Sequence, residues 1–297
     1  MTPHANQHKS EHQHDHGHGH GHGHAHGHGH HDESGQADML ALDALIFSRY
    51  VGEVTAWAEQ FAPDKPGRVA DIGAGPGTYG LALARRFPDA ELVAIDRLPV
   101  MLDRIRATAR EQGLDDRLRV VQADLDAGWP AVTGVDVAWA ASSMHHLTDP
   151  DRLLRELRPA LNPGGLLAIT EMSGMPYFLP DDLGLGRPGL EERCHEAVAG
   201  FGWNAYPDWQ VNLERAGYEP VGRRTYAIEA SSPAPAVQRY ARAVLSGFRS
   251  VLADLLTAED LDVLDRLLSP DGPESLTHRD LTARGERTVW AARRPRD

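Results

Sequence analysis

The chain has a single cysteine, Cys194, among 297 residues. One thiol excludes an intrachain disulfide and any thiolate metal cluster. Lysine is nearly as scarce: Lys9 and Lys65 stand alone among 30 basic residues, and the others are arginine. A GC-rich coding bias explains that imbalance as readily as chemistry does. Long apolar runs are missing too, since no stretch approaches the roughly 18 residues that a membrane-spanning helix needs. The first residues show no basic–apolar signal pattern. Together these absences predict a soluble cytoplasmic protein with no membrane partner. Basic charge is also in deficit, because 43 acidic side chains leave a formal net charge of −13. Such a chain is poorly suited to a phosphate backbone, so nucleic acid is not expected as a partner.

Histidine is what the chain has in excess. There are 17, and 13 of them lie between His4 and His31. Residues 1–36 carry almost no apolar side chains and cannot bury enough surface to offset their ordering entropy. They read as a disordered tail. Every even position from His12 to His30 is histidine, mostly separated by glycine. Imidazoles on a flexible chain can converge on one ion, and imidazole without thiolate favours borderline divalent cations. His14, His16, His18, His20, His22, His24, His26, His28 and His30 are the candidate ligands, with Ni2+ or Zn2+ as the expected ions. A solubilising low-complexity tail is the competing reading. The glycine alternation and the flanking His4 and His8 disfavour a purification tag.

Beyond the tail, Asp38–Phe61 shows apolar residues at helical spacing and predicts one helix, ended by Pro63 and Pro66. Residues 37–66 are accordingly read as a helical lid segment. From Arg68 the pattern alternates. Short apolar runs at Arg68–Ile72, Glu91–Ile95, Leu118–Gln122, Val135–Ala140 and Leu166–Thr170 predict strands. Amphipathic stretches at Thr78–Arg86, Pro99–Glu111 and Asp151–Leu161 predict helices. Strand–helix alternation of this kind predicts an α/β fold, a doubly wound, mostly parallel sheet covered on both faces. Past Glu171 the rhythm breaks. Met172–Ala205 is rich in glycine and proline and reads as an insertion. Trp209–Ala216 predicts a helix, Tyr218–Ile228 a strand, Val237–Leu268 a helical pair, and Arg287–Ala292 a last strand. The catalytic body is expected over 67–297, with insertions at about 172–205 and 231–285.

The segment Val69-Ala-Asp-Ile-Gly-Ala-Gly-Pro-Gly-Thr78 carries the most information. A buried strand delivers Asp71, and Gly73, Gly75 and Gly77 allow a turn tight enough for a ligand to approach the backbone. The helix after it presents its N-terminal N–H groups. The dinucleotide pattern G-x-G-x-x-G fails from Gly73, where Thr78 replaces the third glycine, and fits formally from Gly75 through Gly80. An acid at the end of the second strand, Asp96, suits either kind of nucleoside ribose. The full set is more specific: Asp71, Asp96, the Gln122-Ala-Asp-Leu125 end of the third strand, and the Asn162-Pro-Gly-Gly165 turn. These positions fall at the carboxyl ends of strands or in the loops beside them, where open α/β sheets bind ligands.

In this combination the chain resembles the class I S-adenosylmethionine-dependent methyltransferases, most strongly over Arg68–Glu171. The resemblance implies a Rossmann-like seven-stranded sheet with helical lid insertions, S-adenosylmethionine as cofactor, and a small-molecule methyl acceptor. It implies that Asp71 and the backbone of Gly73, Ala74, Gly75 and Gly77 hold the amino-acid end of the cofactor. Asp96, with Arg97 beside it, would bind the ribose hydroxyls. Asp124 would accept from the adenine amino group, and Leu125 would pack the ring. Ala141 and Ser142 would lie near the sulfonium.

Methyl transfer from a sulfonium is an in-line displacement, so the protein supplies orientation, electrostatics and sometimes a base. The sequence Ser142-Ser-Met-His-His-Leu147 follows the fourth strand, and a histidine there suits removal of a proton from a hydroxyl or ammonium. His145 is the first candidate base, His146 the second, and Glu171 a further carboxylate at the active edge. The histidines also fit a shaping or helix-capping role. The lone cysteine disfavours arsenic methylation, and the Asn-Pro-Pro-aromatic motif of amino-methylating DNA and glutamine enzymes is absent. The expected reaction is transfer to an O, N or C nucleophile of a small metabolite. Two alternatives stay open: an NAD(P)-dependent oxidoreductase, and a metal buffer or chaperone acting through the tail.

Overall fold

A computed structural model describes residues 33–200 and 207–296. The candidate metal ligands His14–His30 lie outside the described residues, as do Trp203 and Tyr206. The first helical stretch is two helices rather than one, α1 (Glu33–Ile46) and α2 (Ser48–Glu59). α1 therefore starts ahead of the boundary that composition places after residue 36. The chain turns at Phe47, with φ −101° and ψ 27°. Phe47 and Tyr50 are both buried, so the apolar period runs on across the break and conceals it in the sequence.

From there the strands and helices alternate: β1 (Arg68–Ile72), α3 (Thr78–Arg86), β2 (Glu91–Asp96), α4 (Pro99–Glu111), β3 (Leu118–Gln122), β4 (Val135–Ala141), α5 (Pro150–Leu157) and β5 (Leu161–Met172). After these come α6 (Leu190–Ala199), α7 (Trp209–Arg215), β6 (Glu219–Ala230), α8 (Ala234–Val251), α9 (Ala258–Leu268) and β7 (Ala283–Arg293). β5 begins earlier than its apolar run. A register shift between Val135 and Val137 lets Leu161 pair with Val135 ahead of the Pro163–Gly165 bend. The preceding helix correspondingly stops at Leu157, with a 3-10 turn over Arg158–Ala160.

The seven strands form one sheet in the order β3-β2-β1-β4-β5-β7-β6. β1 to β5 pair in parallel, and β7 runs antiparallel to both β5 and β6. The dinucleotide-binding order 3-2-1-4-5-6 has no such reversed strand between its fifth and sixth members. Right-handed crossovers then place the helices. From β1 the chain moves toward β3 through α3 and α4, whereas the step from β4 to β5 through α5 moves the other way. The two sets of helices consequently land on opposite faces.

The core divides along the same line, because successive side chains on a strand alternate faces. Val69, Leu92, Val137, Trp139, Ala168 and Val289 pack with α1 to α4, α6, α8 and α9. Ala70, Ile72, Val93, Ala138, Ile169 and Trp290 pack with α5 and α7. Trp209 is fully buried in the second cluster. It is a packing residue. Cys194 is likewise buried in α6, and burial pushes its thiol up to about 12. The direction of winding reverses between β1 and β4, and open α/β sheets bind ligands outside the strand ends at that point.

Candidate active site

The glycine loop leaves β1 at this reversal. Gly73, Gly75 and Gly77 all have positive φ, at 66°, 53° and 88°. At Gly77 two needs coincide, since a Cβ there would sit 2.4 Å from the Ile105 side chain of α4. At Gly75 a Cβ would meet, among the described residues, Leu40 Cδ1 of α1 at 3.5 Å. α1 thus lies across the outer side of the loop. A second contact supports that placement, an Asp38–Arg104 ion pair at 2.8 Å between α1 and α4.

Two carboxylates hold the loop from beneath. Asp71 is 2% exposed, and its Oδ2 accepts from Gly80 N at 2.9 Å in the first turn of α3. Burial raises its pKa to about 7, with the Gly80 N–H bond pulling the other way and nearby Asp96 adding to the rise. The acid therefore braces the loop against the helix. Gly80, the third glycine of the dinucleotide register, packs against this acid: a Cβ there would lie 2.5 Å from Asp71 Oδ2. Asp96 ends β2, where its Oδ2 accepts from Gly75 N at 2.8 Å and its Oδ1 from Leu98 N at 2.9 Å. Each carboxylate oxygen can accept a second hydrogen bond, so the group remains chemically able to receive a vicinal diol. Arg97 is exposed, and its carbonyl accepts from Gln122 Nε2 at 3.3 Å.

At the end of β3, Asp124 is exposed and its Oδ1 accepts from Asp126 N at 3.0 Å, capping a turn. Leu125 beside it is 9% exposed and presents an apolar wall. The carboxyl ends of β2 and β3 thus pair an acid with an apolar surface, the chemistry that a ribose and a purine ring require. Ala74 is buried, and its N–H bonds Ile95 O at 2.9 Å.

At the end of β4, Ala141 and Ser142 are half-buried. Ser142 has φ 48°, in the left-handed region that side chains other than glycine rarely adopt. Its N–H donates to Thr170 O at 2.9 Å, tying the turn to β5. Ser143 Oγ donates to Ile72 O at 2.8 Å, so the same turn is also fixed to β1. The tight turn projects the next residues toward the end of β5. There the buried Glu171 accepts from Met144 N at 3.2 Å through Oε1 and contacts His145 Nδ1 at 2.8 Å through Oε2. The His146 ring lies 3.9 Å from that of His145, centroid to centroid. With Nδ1–H donating to the carboxylate, the basic nitrogen of His145 is Nε2. All three candidates for the chemistry are therefore brought together, His145 and Glu171 by a hydrogen bond and His146 by ring contact.

Beside them lies a set of residues that pattern reading does not single out. Arg287, on β7, is paired in register with Met172 at the end of β5 and is 4% exposed. Its Nη2 donates to Asp43 of α1 at 2.5 Å and its Nη1 to Tyr79 Oη at 3.3 Å. Its guanidinium lies 5.3 Å from the Phe47 ring and 5.5 Å from the Tyr50 ring. Burial opposes its charge, but Asp43 and the surrounding tyrosines hold its pKa well above the usual value. Tyr240 of α8 also donates to Asp43, at 3.1 Å. Tyr50 Oη and Thr170 Oγ1 are 2.6 Å apart. Only the strand-end position of Arg287 hints at this in the sequence, and arginine is too common here for that to count.

The comparisons agree with this geometry. Residues 69–165 match the family described as methyltransferase domain. A trans-aconitate 2-methyltransferase from Variovorax paradoxus is 33% identical over 135 residues, covering 44% of this chain and 50% of the relative. One from Yersinia pseudotuberculosis is 32% identical over 152 residues, covering 51% of this chain and 50% of the relative. The chain therefore spans about half the length of the relatives it matches. The crystal structure of a putative methyltransferase from Bacillus halodurans superposes with a TM-score of 0.52 at 20% identity, covering 81% of this chain and 98% of that one. That likeness shows the shared fold. The glycine loop and the carboxyl ends of β1 to β4 all fall within residues 69–165, the span that matches the methyltransferase domain family.

Proposed function

We propose that the protein transfers a methyl group from S-adenosylmethionine to an O, N or C nucleophile of a small metabolite. The observation that carries this reading is the double hold of Asp96 on Gly75 N and Leu98 N beside the glycine loop. It fixes a diol-accepting carboxylate next to a backbone open to a ligand. Asp96 would take the ribose hydroxyls, Leu125 and Asp124 the adenine, and Gly73–Gly77 the amino-acid end. Arg97 would lie beside Asp96 at the ribose, and Ala141 and Ser142 near the sulfonium. Asp71 serves beneath, by fixing the loop to α3. When bound, S-adenosylmethionine supplies an electrophilic methyl group.

The chain's own residues orient the acceptor and handle any proton. With a hydroxyl or ammonium acceptor, His145 Nε2 takes the proton and Glu171 stabilises the imidazolium through Nδ1–H. A carboxylate acceptor needs no base, and the pair then only positions it. The His146 ring lies against the base, tilted at 46° to it, and limits its rotation.

The test is calorimetry of the full chain with S-adenosylhomocysteine and with NAD, followed by methyl-transfer assays. Trans-aconitate, which the relatives' name carries, is the first acceptor to try. Binding of S-adenosylhomocysteine with turnover is expected, whereas binding of NAD alone would overturn the reading. For His14–His30 we propose Ni2+ or Zn2+ binding separate from catalysis. Each ion should titrate onto the full chain by calorimetry, and adding or chelating it should leave methyl-transfer rates unchanged.

A further inference from the structure

We propose that Arg287 anchors a carboxylate of the methyl acceptor, and that Asp43 of α1 occupies this anchor until the acceptor arrives. The proposal rests on the methyltransferase reading above and names the substrate class of that site. A guanidinium has five N–H donors arranged as a fork that fits a carboxylate through two parallel bonds. Arg287 is buried, yet its fork is only partly used. Nη2 meets one oxygen of Asp43, Nη1 reaches Tyr79 at 3.3 Å, and Nε has no hydrogen-bond partner among the described residues. A purely structural buried arginine is normally satisfied along its whole edge, since leaving donors unpaired in the interior is costly.

Its position fits an acceptor anchor. Arg287 faces Met172 across the β5–β7 register, and the preceding residue on β5 is Glu171, which holds His145. Tyr79 lies within electrostatic reach of both Arg287 and Glu171. The anchor and the base therefore lie at the same end of the paired strands β5 and β7, and alternation along the strands sends the Arg287 and Glu171 side chains to opposite faces.

Asp43 is the part of the arrangement that can give way. It sits on α1, whose Leu40 also lies over Gly75. The Asp43 side chain is 18% exposed, against 5% for that of Arg287. An incoming carboxylate can exchange with it pairwise, so the buried cation is never left unpaired. α1, released at Asp43, then no longer covers the loop. The cofactor also carries a carboxylate, and the experiment separates the two sources.

Isothermal calorimetry on the full chain would measure two affinities in wild type, R287K and D43N. The first is for S-adenosylhomocysteine alone. The second is for trans-aconitate, citrate, succinate and succinamide added to the S-adenosylhomocysteine complex. At least one carboxylate should bind wild type while the uncharged amide does not. R287K should weaken that carboxylate tenfold or more and change S-adenosylhomocysteine by less than twofold. D43N, which removes the competitor and keeps the side-chain shape, should tighten the carboxylate severalfold.

A tenfold loss confined to S-adenosylhomocysteine would make Arg287 the anchor of the cofactor's carboxylate and overturn the proposal. Failure of every carboxylate to bind, or equal binding by wild type and both variants, would make the Arg287–Asp43 pair purely structural. No binding of S-adenosylhomocysteine to wild type would instead sink the methyltransferase reading itself.

Discussion

The two sides of the candidate site are built by different means. Around the glycine loop, backbone N–H groups are held by carboxylates close by in sequence, as with Gly75 and Asp96, 21 residues apart. Around the ends of β5 and β7, charged and phenolic side chains meet from distant segments, as with Asp43 and Arg287, 244 residues apart. The first side fixes a shape that one ligand class can use. The second presents chemistry that different acceptors select. A fold can keep the former constant while the latter diverges, because loops and appended helices change without disturbing the sheet.

The sharpest way to separate the two sides is His145→Ala. With an acceptor that must lose a proton, kcat should fall about 100-fold or more, while S-adenosylhomocysteine affinity stays unchanged by calorimetry. A loss of cofactor affinity with unchanged kcat would place His145 on the cofactor side. Asp96→Ala attacks that side directly. Loss of two hydrogen bonds to a charged group costs about 3 kcal/mol, roughly 100-fold in S-adenosylhomocysteine affinity. Retained affinity would show that the carboxylate serves only the loop.

Stability offers a smaller contrast. Gly77→Ala forces a left-handed alanine into Ile105, which should cost about 2–4 kcal/mol in urea unfolding. Gly52→Ala on α2 meets nothing within 4 Å, so it should stabilise by about 0.5–1 kcal/mol through helix propensity. Equal effects would mean that the loop conformation is not under the constraint described.

The smallest effect concerns pH, and it treats the two sides alike. Burial raises Asp71, beneath the loop, and Glu191, in the first turn of α6, each to about 7. The folded chain therefore holds these protons more tightly than the unfolded one. The stability they contribute is complete below about pH 4 and is lost as pH rises toward 7. Asp71→Asn and Glu191→Gln keep an oxygen for the Gly80, Phe178 and Leu179 N–H groups. Each variant should gain stability relative to wild type as pH rises from 4.5 to 8 in chemical denaturation. Parallel curves would show that the carboxyls ionise normally.

Much of the glycine-loop side could be read directly. The strand cores of β1 to β4 and the helices α3 and α4 follow from the apolar period. Asp71, Gly73, Gly75 and Asp96 stand out because a turn that tight needs those residue types at that spacing. Other features escaped for identifiable reasons. The break at Phe47 interrupts no apolar period. Leu161 pairs with Val135 only through a register shift, so β5 looked shorter than it is. Arg287, Tyr79 and Asp43 each suit an exposed surface as well as a buried one, and nothing local says that they meet.

The sequence by itself determined that a glycine loop leaves a buried strand toward acids at the ends of the next two, because backbone conformation and side-chain period are local properties. Only the tertiary structure decided that β7 inserts antiparallel between β5 and β6 and buries Arg287 against Asp43 and Tyr79. Burying a charge depends on partners supplied by remote segments. No local pattern encodes which of 30 basic residues will find one.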